Sequence, residues 1–317
     1  MSMKRKNTFV SLGLLGLATL GSVFGLSACS KYKYEYEFTD IAYTQLPYDL
    51  RQAVIDPKKV RITFTNSVIL KEFIDTYIEK FNDMDKDPLN LGFIDISNVE
   101  NIDYLFAGNL NLSDENRDIE CSNFKKRREY NIDFSSLDFS KVKSMVGTFA
   151  CVSISNDLRK INVSQVTNMR NLFTDSVFTY TAYSNISTWN VSQVVDMSYM
   201  FARTNFNFDI GNWDVSKVAN MSGMFYYAKE FNQNIGNWDV SKVTDMSWMF
   251  ASSSSFNQDI GNWDVSKVTN MSGMFYFATS FNQNISQWNV ANVKDWSDIF
   301  FDWTENINNE NKPPKFR

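Results

Sequence analysis

Histidine is missing from all 317 residues. A chain without imidazole has no histidine-based nucleophilic triad, no histidine metal site and no histidine pH switch. Cysteine is scarce, at three residues. No phosphate loop, GxSxG elbow, HExxH, CxxC pair or EF-hand loop occurs. Carboxylates are plentiful at 36, so composition alone leaves a two-carboxylate glycosidase open. Most of them recur at repeated positions, however, whereas a catalytic pair needs two unequal environments. No catalytic residue, cofactor or metal is therefore expected.

An excess of positive charge is lacking too. The chain has 31 basic and 36 acidic residues, a net −5. Loss of residues 1–28 would remove Lys4, Arg5 and Lys6 and leave 28 basic against 36 acidic. Such a body is a poor match for nucleic acid, because phosphate binding needs clustered Lys and Arg. The dense basic run Lys125–Arg128 reads as a solvated loop. A hydrophobic content of 44% over this length suffices for a sizeable core and one or two domains.

The only long apolar run lies near the start. Lys4-Arg5-Lys6 precedes an apolar, small-residue stretch from Phe9 to Phe24, loosened by Gly13, Gly16 and Gly21. It is short for a membrane span and has the layout of a secretory signal. It ends in Leu26-Ser27-Ala28-Cys29, which resembles the lipobox of bacterial lipoproteins. That resemblance implies that the Cys29 thiol accepts a lipid and becomes the first residue after cleavage. Lipid chains contribute about 0.8 kcal/mol per buried methylene, so two or more hold a protein at a membrane. The expected location is the extracellular face of the cell membrane, with the membrane itself as a partner through Cys29. Cys121 and Cys151 could pair there, although two unpaired thiols are the plainer reading.

The second half repeats itself. Trp213, Trp238, Trp263 and Trp288 are 25 residues apart, inside copies of FNQDIGNWDVSKVTNMSGMF, and Trp189 precedes by 24. Ile161, Leu137 and Ile94 hold the same place in degenerate copies, which makes eight units with an insertion at about 109–130. Two and five residues after the Trp stand apolar columns, from Ile96 and Val99 to Val290 and Val293. Eight after it runs Ile102, Met145, Met169, Met197, Met221, Met246, Met271 and Trp296. Twelve after it every unit has Phe, among them Phe201, Phe225, Phe250, Phe275 and Phe300. Columns of this kind require units stacked with like positions above one another.

Within a unit W-D-V alternates as a short strand would, and M-x-x-M-F has the spacing of one helical face. The expectation is an α/β repeat solenoid, each coil of about 25 residues holding a short strand and one helical turn. The Trp and Phe columns form its core. Asn207, Asn232, Asn257 and Asn282 form a further column, read as a buried hydrogen-bonded ladder or, alternatively, as solvent-facing turn residues. Ahead of the repeats, Tyr32, Tyr34, Tyr36 and Phe38 alternate as a strand, and Val60 to Phe64 reads as a second. Ser67 then opens an amphipathic helix with Leu70, Phe73, Ile74, Tyr77, Ile78 and Phe81 on one face. The organisation is thus a signal at 1–28 and a tether with a strand at 29–58. A capping strand and helix follow at 59–90, then the repeats at 91–303 and a disordered tail at 304–317.

The motif F-N-Q-[DN]-I-G-N-W-D-V-S-K-V-[TA]-[ND]-M-S-x-M-F, best matched from Phe206 to Phe300, resembles the BspA-like leucine-rich-repeat surface proteins. The form is that of mycoplasma-type lipoproteins. The resemblance covers about two-thirds of the chain after the signal. It implies a leucine-rich-repeat-like solenoid displayed at the cell surface, with adhesion as its role. Leu137 and Ile161 in place of Trp, Thr148 in place of Met, and the insertion depart from the motif.

Two surfaces are candidates for binding an unidentified protein or glycan. One is the outward column beside the Trp, with Asp214, Asp239 and Asp264 at its centre and a Lys column next to it. The plainer reading is that the two columns neutralise one another. The other is aromatic: Tyr199, Tyr226, Tyr227, Trp248, Tyr276 and Phe277, which could equally pack between units. A binding and adhesion module fits best. A solute-binding lipoprotein would need two α/β lobes around a cleft, and a secreted hydrolase lacks its motifs.

Overall fold

The computed structural model describes residues 3–6, 34–38, 43, 46, 48–108, 110–111, 120–121, 127–179, 185–300 and 307–317. Residues 3–6, 34–38, 49, 111 and 120 are described as backbone only. Cys29 and most of the signal segment lie outside the described residues, and no described helix is long and apolar enough to cross a membrane.

The chain first builds a small sheet in the order β1 (Met3–Lys6), β2 (Tyr34–Phe38), β3 (Val60–Phe64), β5 (Ile94–Asp95). β2, β3 and β5 run parallel, and β1 is antiparallel at the edge. Val60, Ile62 and Phe64 point inward, as two-residue periodicity dictates. Helix α1 (Ser67–Phe81) starts at Asn66, whose side chain accepts the N–H groups of Val68 and Ile69. Its buried stripe sets Phe73 and Tyr77 against Phe93, with ring centroids 6.3 and 5.0 Å apart. A short strand, β4 (Leu89–Asn90), leads into the repeats.

From there each repeat unit lies on the next in parallel. A row of bridges runs Asn101, Ser144, Asn168, Asp196, Asn220, Asp245, Asn270, Asp295. The N–H groups of Met221, Gly223, Phe225 and Tyr227 donate to the carbonyls of Asp245, Ser247, Met249 and Ala251 at 2.7–3.0 Å. The intervening Met224, Tyr226 and Ala228 donate three residues back within their own unit. The expected helical turn is therefore not formed. Every second N–H is taken by the neighbouring unit, so none is left for an i→i−4 ladder. The fold instead strings turns together, with left-handed residues four apart, such as Gly223 and Tyr227, both at φ 58°. The expected strand at W-D-V forms only in the first unit among the described residues, as β5, and is absent from the Trp-bearing units, whose inter-unit ladder sits seven residues later.

The corners of each unit are set by short polar side chains. In the unit of Trp238, Asn234, Asp239 and Asp245 each accept the N–H two residues on, from Gly236, Ser241 and Ser247, at 3.0, 3.0 and 2.8 Å. These are Asx turns. Between corners the apolar columns point inward, and Trp238 is 4% exposed. Its Nε1 donates to the Ile210 carbonyl of the preceding unit at 3.1 Å, and Trp189, Trp213, Trp263 and Trp288 make the equivalent bond.

Hydrogen-bonded rungs lie about 4.8 Å apart. The stacked rings of Phe201, Phe225, Phe250 and Phe275 are 5.7–5.8 Å apart, and Trp263 and Trp288 are 6.4 Å apart. The Asn column does form a ladder. Asn207, Asn232 and Asn257 each accept the backbone N–H of the Asn one unit on at 3.0 Å. Its place is a correction, since Asn232, Asn257 and Asn282 are exposed rather than buried.

One open alternative is decided and two further expectations are overturned. Cys121 and Cys151 form a disulfide, their Cα atoms 5.7 Å apart. It ties the insertion, where β6 (Leu110–Asn111) pairs with β7 (Glu120–Cys121), to the second unit. The basic run is no solvated loop where it is described. Arg128 pairs with Asp75 at 2.7 Å and lies over the Tyr130 ring, while Arg127 donates to the Asp175 carbonyl. From Arg128 the chain has rejoined the stack. β8 (Arg128–Glu129) pairs with β10 (Val152–Ile154), which pairs with β11 (Val177–Phe178), and β9 (Ile132–Asp133) pairs with β4. Finally, residues 307–317 of the expected disordered tail cover the last unit. Phe316 is buried against Trp296, and Lys315 donates to the carbonyls of Val290 and Val293.

Candidate binding surface

The six aromatic candidates gather on the ladder side. Tyr199 and Trp248 occupy left-handed backbone positions at φ 55° and 58°. The unit that follows each has glycine at the same position, Gly223 or Gly273. A Cβ on Gly223 would stand 2.3 Å from the Tyr199 ring, and one on Gly273 would stand 2.7 Å from the Trp248 ring. Each ring therefore lies on the bare backbone of the next unit, a place only glycine leaves open. Beside them stand Tyr226, 6.5 Å from Tyr199 and edge-on, and Tyr276, 5.4 Å from Trp248 and tilted. Tyr227 and Phe277 complete two clusters. Tyr227 is 45% exposed and carries the Lys229 ammonium over its ring at 4.4 Å. The other five rings are half-buried.

Sequence reasoning saw these aromatics but missed their glycine partners and the carboxylates beside them. Asp196 and Asp245 stand three residues before Tyr199 and Trp248, on the ladder itself. In each, Oδ1 accepts both the N–H and the hydroxyl of the Ser two residues on. The signal was available, as an Asp and Asn alternation at one register position.

Asp214, Asp239 and Asp264 are exposed at the corner beside the Trp column, away from the ladder. The hydroxyl and backbone N–H of Ser216, Ser241 and Ser266 hold their carboxyls below the usual range, with Lys217, Lys242 and Lys267 assisting. Hydrogen bonds to the charged form, more than the Lys column, thus keep them ionised. Their principal work is to shape the turn.

A concavity lies between α1 and the first unit, with a volume of about 620 Å³. Ser67, Lys71, Asp75, Asn101, Asp103, Tyr104 and Arg128 supply its polar lining. Both cations there are bound to Asp75. Among the described residues, the groups of metal-ligating type that come together are Cys121, Cys151 and Asp175. The two sulfurs are joined, and Asp175 accepts from Arg203 at 2.9 Å.

A family model described as Mycoplasma protein of unknown function, DUF285, matches residues 76–207, 143–241 and 202–312. No curated protein matches the chain, and no solved structure does. The three overlapping matches follow the stacked units and include the end of α1, and they cover well over half of the sequence: the chain belongs to the Mycoplasma family DUF285.

Proposed function

We propose that this is a lipid-anchored surface protein whose stacked units form a leucine-rich-repeat-type solenoid for binding other surface molecules. Anchoring rests on the Cys29 lipobox, and a BspA-like adhesive role rests on the repeat motif. The partner meets the ladder side through Tyr199, Tyr226, Tyr227, Trp248, Tyr276 and Phe277. One observation carries this choice: two aromatic clusters are fixed on glycine backbone on one side, while Asp214, Asp239 and Asp264 are engaged in corner turns. Rigid, partly exposed aromatics are the residues that dominate interface energies. No role is assigned to catalysis.

The test is binding of acylated protein to host cells. Changing Tyr226, Tyr227 and Trp248 to Ser should remove binding. Changing Asp214, Asp239 and Asp264 to Asn should leave it, because Asn keeps the turn acceptor and already stands at this register in Asn190 and Asn289. The opposite pattern would sink the aromatic reading. Cys29→Ser should abolish fatty-acid labelling and detergent partitioning, and retention of both would refute the anchor.

A further inference from the structure

The 25-residue repeat conceals a period of two units on its ladder side. A unit with Asp on the rung and an aromatic ring at the first left-handed position alternates with one carrying Asn and Gly there. Asp196 goes with Tyr199 and Asn220 with Gly223; Asp245 goes with Trp248 and Asn270 with Gly273. The Asn and Gly units bring a second ring, Tyr226 edge-on to Tyr199 and Tyr276 tilted against Trp248. One block is therefore a carboxylate, a ring laid on glycine and a second ring set at an angle to it, and the block occurs twice.

The carboxylates retain binding capacity. Asp196 uses Oδ1 for Ser198 at 2.8 and 2.6 Å, and its Oδ2 has no partner among the described residues. Asp245 uses Oδ1 for Ser247, and its Oδ2 meets only Asn270 Nδ2 at 3.5 Å. Asp295 continues the row. Asn between successive Asp residues also avoids like charges directly opposite.

At about 4.8 Å per rung the two blocks repeat at about 9.6 Å along the ladder. A β-strand presents one face every ~6.8 Å, and an α-helix rises 5.4 Å per turn. Two strand repeats give about 13.6 Å, and seven helical residues, or two turns, about 10.5 Å with a further side chain between them on the same face. A polyproline II chain turns in three residues of about 3.1 Å each, or about 9.3 Å. It also seats proline rings in aromatic-lined grooves, and its three faces let a second side-chain type recur beside the first. Positive charge on that second face would complement the Asp row.

We infer that the ladder side binds a polyproline II segment carrying proline and a basic residue at every third position. Proline rings would lie on Tyr199 and Trp248, and cations would meet Asp196 and Asp245. This assignment rests on the binding role proposed above and names its ligand.

The probe is a fluorescent (Pro-Ala-Arg)6 peptide, titrated into the acylated protein beginning at Cys29, in detergent. Saturable binding is expected. Affinity should fall about tenfold or more for (Pro-Ala-Glu)6, for (Ala-Ala-Arg)6 and for the four-residue repeat (Pro-Ala-Ala-Arg)5. Trp248→Ala should have an effect of the same size, and Trp248→Tyr, which keeps a ring over Gly273, should restore binding. Asp196→Asn with Asp245→Asn should weaken binding and flatten its salt dependence without unfolding. Equal affinity for the three- and four-residue repeats would overturn the proposal, as would indifference to Arg→Glu. If the peptide fails to bind while cells still bind through the aromatics, the polyproline assignment falls and the binding role stands. Loss of cell binding after periodate, but not after trypsin, would transfer the same surface to a glycan.

Discussion

The early units, from Ile94 to Phe178, and the late ones, from Ile186 to Phe300, share one backbone plan but are joined by different means. The early units carry the same Asx corners as the late ones, at Asn90, Asp95 and Asn101 for example, but in the late units the connections between units are periodic: a Trp Nε1 bond and the Asn ladder recur. The early units have Ile94, Leu137 and Ile161 where the Trp would stand, so that bond cannot form. Individual connections replace it. Tyr130 donates its hydroxyl to the Phe106 carbonyl at 2.7 Å, Thr148 to Ile102 and Ser176 to Phe149, all buried. Arg203 pairs with the buried Asp175, and the disulfide adds a covalent tie. A stack needs its inter-unit groups satisfied, and either a repeated device or a set of local ones achieves it.

Trp238→Ala should have the largest effect, about 3–5 kcal/mol, through the cavity and the lost Nε1 bond to the Ile210 carbonyl of the preceding unit. Because units contact only their neighbours, hydrogen exchange should rise mainly between residues 213 and 263. Uniform loss of protection across early and late units would erase the contrast between them. Cys121→Ser with Cys151→Ser should cost about 3–4 kcal/mol for a 30-residue separation. Thermal unfolding would show whether this loss stays with the early units, and an unchanged melting curve would deny the disulfide its part.

Gly223→Ala should cost about 1–3 kcal/mol, since alanine is strained at positive φ and its methyl displaces the Tyr199 ring. Near-ultraviolet circular dichroism would report the displacement, and an unchanged spectrum would mean that the ring does not depend on the glycine. The smallest effect concerns acid. Asp214, Asp239 and Asp264 have carboxyls held below their unfolded range. Their contribution is therefore present above the ordinary Asp pKa of about 3.9 and lost as pH falls through the lower folded values. The triple Asn variant should show a flatter acid limb in denaturant titrations below about pH 4. Identical limbs would mean that the corner carboxylates stabilise no late unit.

Much of the packing was legible because burial leaves a period. The apolar columns and the stripe of α1 could be read directly, since a residue either faces the interior or does not at a fixed interval. The backbone between them was not. M-x-x-M-F has helical spacing, yet its N–H groups pair with the next unit, and that competition exists only once a neighbour is present. The Asp column looked like a free charged face because Asx turns form within three residues and leave no apolar trace. Of the candidate surface, the aromatics were visible, but their seats on Gly223 and Gly273 were not, being contacts 24 and 25 residues away.

The sequence by itself determined a repeat of about 25 residues, the inward columns of Trp, Val, Met and Phe, and the eight-unit count. These follow from the need to bury apolar side chains at matching heights. Tertiary structure decided where the ladder runs, that Cys121 meets Cys151, and that Phe316 returns to cover the last unit. It also decided which side gathers the aromatic rings. Each of these depends on distance in space between residues far apart in the chain, which composition and periodicity do not encode.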